Sequence, residues 1–94
     1  MGETSFHFRF GPKVKIKEVH DSLVLSLMAS EGLHGRTRVQ LEANFHLDRD
    51  ERTCTVQAET EVGRDLVRIF TALLTRQFGE EGFTIESNES RQHA

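Results

Sequence analysis

The chain has 94 residues, with 12 Lys and Arg against 15 Asp and Glu, seven Phe, one Cys and neither Trp nor Tyr. That length supports one domain with a single core and little room for a deep pocket. The formal net charge of −3 excludes a surface that is wholly a nucleic-acid footprint, and a lone Cys54 excludes an intrachain disulfide or a paired-thiol metal site. No apolar stretch follows Met1 and no run approaches a membrane span, so a reducing, cytoplasmic setting is expected and a membrane partner is not.

Residues 1–4 and 87–94 are polar and are expected to fray, flanking a single α+β domain over 1–94. Residues 5–10 alternate Phe6, Phe8 and Phe10 against His7 and Arg9, a strand signature. Gly11-Pro12 forces a turn. Residues 13–19 alternate again, with Val14 and Ile16 opposite Lys13, Lys15 and Lys17, and read as a second strand.

Residues 22–30 admit two readings, because periodicity alone does not arbitrate so short an apolar run. As a helix capped by Asp21, the segment gathers Leu23, Val24, Leu27 and Met28 on one face. As a strand it points Leu23, Leu25, Leu27 and Ala29 inward and Val24, Ser26, Met28 and Ser30 outward. A hairpin loop at 31–35 would then set Leu27 opposite Val39 and Leu25 opposite Leu41, apolar against apolar, and this register favours the strand.

Residues 36–47 and 52–62 are the clearest alternating runs. Val39, Leu41, Ala43, Phe45 and Leu47 share one side of the first; Cys54, Val56, Ala58 and Val62 share one side of the second. A turn around Arg49 and Asp50 pairs Phe45 with Cys54 and Ala43 with Val56, a half-buried antiparallel hairpin. Residues 62–78 predict a helix with Val62, Leu66, Ile69, Phe70, Leu73 and Leu74 as its apolar stripe, Thr60 as N-cap and Gly79 as its stop. Phe83 and Ile85 then mark a short closing strand. The expected architecture is a two-layer sandwich, an antiparallel β-meander packed on one long C-terminal helix. A helical 22–30 would instead give a ferredoxin-like βαββαβ order, preceded by an extra strand.

No segment brings a nucleophile beside a base, and the five histidines lack the spacing that gathers metal ligands, so catalysis, metal and cofactor are not expected. The leading expectation is a small protein-interaction or oligomerisation module. It would act through the exposed sheet edges or through an outer face made partly apolar by Val24 and Met28, with self-association or another protein as partner. A second reading places a small molecule, bound or transformed, on the polar sheet face against Arg38, Glu42 and His46. A third is a nucleic-acid accessory role for the helix arginines Arg64, Arg68 and Arg76, aided by Lys13, Lys15 and Lys17. Sheets that bind RNA put stacking aromatics on the open face, whereas here the strand phenylalanines point to the other side.

Overall fold

Phenylalanines at every second position of the first strand need a helical layer on one side only, and the computed structural model, which describes residues 3–90, supplies it. Strand β1 (Glu3–Phe10) leads to helix α1 (Ile16–His34), helix α2 (Arg36–Glu42), strands β2 (Phe45–Asp48) and β3 (Thr53–Gln57), helix α3 (Glu61–Phe78), a single 3₁₀ turn (Glu80–Gly82) and strand β4 (Phe83–Ser90). The four strands form one antiparallel sheet in the order β2-β3-β1-β4. This is an α+β sandwich of sheet on helices, ferredoxin-like in its βαββαβ alternation except that two helices, α1 and α2, stand between β1 and β2. No further strand precedes β1 among the described residues. Residues 3–4 and 87–90, expected to fray, lie in β1 and β4, where 3–4 pair with 89–90 and 87–88 pair with Phe6 and Ser5, while 1–2 and 91–94 are outside the described residues.

The core lies between the layers. Phe8, Cys54, Val56, Leu66, Phe70 and Leu74 are fully buried there, and the Phe8 and Phe70 rings meet edge to face at 5.0 Å between centroids. Helix α3 forms where its stripe predicts, and Thr60 caps it by accepting a hydrogen bond from the Gly63 amide at 2.9 Å. The β2–β3 hairpin is also present, but Phe45 pairs with Val56 and Leu47 with Cys54, a two-residue slip from the expected register. An even slip leaves every side chain on its original face. Its cause is the turn, where Asp48 Oδ1 accepts from the Glu51 amide at 3.1 Å and Arg52 takes a left-handed φ of 56°.

Three segments depart from the meander. Residues 13–19 and 22–30 belong to a loop and to α1, and 36–42 are α2. Inward-facing Val19, Ser22, Leu23, Ser26 and Ser30 follow helical spacing, but three of the five are serines, which hid the period in the sequence. In 36–42 only Val39 is buried, Leu41 is 80% exposed, and Arg38 joins Glu42 one turn on at 3.0 Å. Gly35, at φ 88°, separates the two helices.

Arg52 ties the hairpin to the rest of the fold. Its guanidinium donates to the carbonyls of Gly11 and Val14, and its own carbonyl accepts from the Phe10 amide at 3.0 Å. Arg52→Ala removes two charge-assisted hydrogen bonds while keeping the left-handed backbone. The expected loss is about 2 kcal/mol, read as a lower urea midpoint at unchanged slope.

Candidate functional site

Helix α1 sends Val19 and Leu23 into the core, yet it buries three serines and leaves several oily residues outside. Its buried side carries Ser22, Ser26 and Ser30 one turn apart, in a helix packed against α3. The hydroxyls need no water there. Ser26 Oγ donates to the Ser22 carbonyl at 2.8 Å, Ser30 Oγ to the Ser26 carbonyl at 2.9 Å, and Ser22 Oγ to Gln77 Oε1 on α3 at 3.1 Å. Small, internally satisfied side chains let the two helices approach closely.

The solvent side is the apolar one. Between residues 24 and 33 the exposed positions are Val24, Leu25, Met28, Ala29, Gly32 and Leu33, with no charge or hydrogen-bonding side chain among them. Val24 is 40% exposed, Leu25 54%, Met28 59% and Leu33 65%, so most of this surface is bathed in water. Val24, Leu25, Met28, Ala29 and Gly32 lie along one side of the helix by its 100° step, and space above Gly32 is open. Asp21 stands exposed at one end of the stripe and Arg36 just past the other.

A polar cluster fixes the C-terminal end of α1. His34 is half-buried and its Nε2 meets Asp65 Oδ2 on α3 at 2.8 Å, with Arg68 3.6 Å from the other Asp65 oxygen. Arg38 bridges to Glu42 at 3.0 Å and to Glu61 at 3.2 Å. Those bonds, Glu42 first and then Glu61, raise the Arg38 guanidinium above its ordinary range. His34 and Asp65 resemble a catalytic dyad, but the second ring nitrogen faces Arg38 Nη1 at 3.5 Å, a cation where a nucleophile would need to be. The cluster splints three helices together.

The sequence-predicted site residues therefore separate. Val24 and Met28 do share an exposed face, on a helix and not on a sheet. Arg38 and Glu42 lie on α2, leaving His46 on β2, so the three do not line one sheet face as the strand reading required. Arg64 and Arg68 are exposed on α3; Arg64 leans on the Glu59 carbonyl at 3.4 Å and Arg68 on Asp65. The open sheet face is made instead by His7, Arg9, His46, Thr55 and Glu86, with His7 Nδ1 2.9 Å from Thr55 Oγ1. Among the described residues no three His, Cys, Asp or Glu side chains gather to hold a metal ion, and no helix is long and apolar enough to cross a membrane.

Leu25, Ala29, Gly32 and Leu33 were missed as members of the exposed face. The serine line at 22, 26 and 30 falls on one side of a helix and of a strand alike, so it did not separate the two readings. Compared with known proteins, the sequence matches no family model and no curated protein.

Proposed function

We propose that this chain is a non-enzymatic protein-interaction module that receives a partner's apolar surface on the outer face of α1. The observation that supports it is the run of exposed Val24, Leu25, Met28, Ala29, Gly32 and Leu33, none of them charged, on a helix that buries Ser22, Ser26 and Ser30 beside Val19 and Leu23. Folding alone gives no reason for that exposure, since burying apolar area is worth ~25 cal/mol per Å² and these side chains leave it unburied. A second protein covering the face recovers it, in the manner of helix-in-groove or helix-on-helix recognition.

The other two surfaces support less. The open sheet face mixes Arg9 and two histidines with Glu86 and carries no phenylalanine. On α3, Arg68 is drawn to Asp65, and the remaining arginines offer few phosphate contacts.

A photoreactive aromatic ketone in place of Met28 tests the reading. Irradiation of cells making the full chain is expected to link it covalently to a second polypeptide, and the same probe at exposed Thr84 on the sheet is not. Adding Leu25→Glu should abolish the adduct while changing stability by no more than about 0.5 kcal/mol, because Leu25 is exposed. No protein adduct at position 28 would refute the assignment.

A further inference from the structure

We propose that the occupant of this face is a second copy of the chain, its α1 packed antiparallel across a two-fold axis at the level of Met28 and Ala29. The inference rests on the docking reading above and adds the identity of the partner. An isologous interface requires one patch to be complementary to itself, and the sizes along α1 and the charges of Asp21 and Arg36 near its two ends meet that demand.

With the axis at that level, Leu25 of one helix lies across from Gly32 of the other, and Met28 sits beside its own mate and Ala29. The longest exposed side chains thus enter the positions with least bulk, and the space above Gly32 is open. The same operation brings Asp21 of each helix, with exposed Lys17 one turn before it, to the end of its mate where exposed Arg36 opens α2, so the acid meets an opposite sign at both ends. Parallel pairing would set Leu25 against Leu25, Asp21 against Asp21 and Arg36 against Arg36. The stretch from 24 to 33 is ~14 Å long at ~1.5 Å per residue. That is short for a standard interface of about 800 Å² per partner, so the dimer is a dissociable one that forms with concentration.

Cysteine scanning on the purified full chain tests the register. The native Cys54 is fully buried, and burial pushes its thiol up to about 12, so it does not compete under mild oxidation. Met28→Cys lies near the axis and is expected to form an interchain disulfide by itself. Leu25→Cys and Gly32→Cys are each ~10 Å along the helix from their own mates, beyond disulfide reach, and are expected to crosslink only when the two variants are mixed. Asp21→Arg should weaken dimerisation roughly tenfold in sedimentation, about 1.4 kcal/mol, and Arg36→Asp added to it should restore the affinity.

Crosslinking of Leu25→Cys with itself would overturn the antiparallel register, and a strict monomer at high concentration without any disulfide would overturn the self-pairing. The two proposals separate in the Met28 photocrosslinking. An adduct at twice 10.7 kDa supports both. An adduct of another mass leaves the docking face and removes the second copy, and no adduct removes both.

Discussion

Phe8→Ala is expected to lower the unfolding free energy by about 3–5 kcal/mol, the largest loss available from a single truncation in this core. Phe8 is fully buried on a central strand, flanked by β3 and β4. Its ring meets Phe70 at 5.0 Å and Phe83 at 6.4 Å, so truncation opens a cavity bounded by both layers, which are held apart by their own packing. Domains of this size hold only ~5–15 kcal/mol in total, and the variant should melt many degrees lower. Phe45→Ala serves as the comparison. Phe45 is on the edge strand and 38% exposed, so its loss should cost less than half as much in the same denaturant titration. Equal losses for the two would mean that the core is not centred on β1.

Gly63→Ala is expected to be destabilising by about 2 kcal/mol or more even though it places alanine inside a helix. Propensity alone predicts a gain of ~1 kcal/mol. A Cβ at Gly63, however, would stand 2.2 Å from the Gln57 carbonyl oxygen and 3.2 Å from the Ala58 Cα, both backbone atoms of the segment leading into α3. Neither can rotate away, so the helix must shift from the sheet, and an overlap this deep is expected to reach or exceed the upper end of the ~1–3 kcal/mol overpacking range, which leaves ~2 kcal/mol after the propensity gain is subtracted. Gly32→Ala gives the opposite sign from the same substitution. Nothing lies within 4 Å of the added methyl, so at concentrations where the chain is monomeric Gly32→Ala should gain ~0.5–1 kcal/mol. A Gly63→Ala protein as stable as the parent would show that α3 does not approach β3 so closely.

Burial in the structure sets the face on α1 apart from the polar surfaces. His34, Asp65, Arg38, Glu42 and Glu61 satisfy one another and hold three helices in place. Their chemistry is consumed internally. The apolar positions of α1 have no such internal partner, because α3 packs on the serine side. A surface with unspent hydrophobic free energy is where a second molecule gains most by binding.

Local pattern alone was sufficient wherever one side of an element is oily and the other wet. Phe6, Phe8 and Phe10 against His7 and Arg9 declared β1, Cys54 and Val56 declared the inward side of β3, and Leu66, Phe70 and Leu74 declared α3 with its Thr60 cap. Those elements bury the side their composition marks, so period and burial agree. Helix α1 breaks that agreement. Its inward serines are acceptable only because α3 lies close enough to use their small size, and its outward Leu25 and Met28 are acceptable because the core does not need them. Which side of 22–30 faces the sheet, whether 36–42 is helix or strand, and which residues share the exposed face were therefore decided by the tertiary packing. Side-chain hydrophobicity determines what can be buried, whereas helix-to-helix distance determines what is.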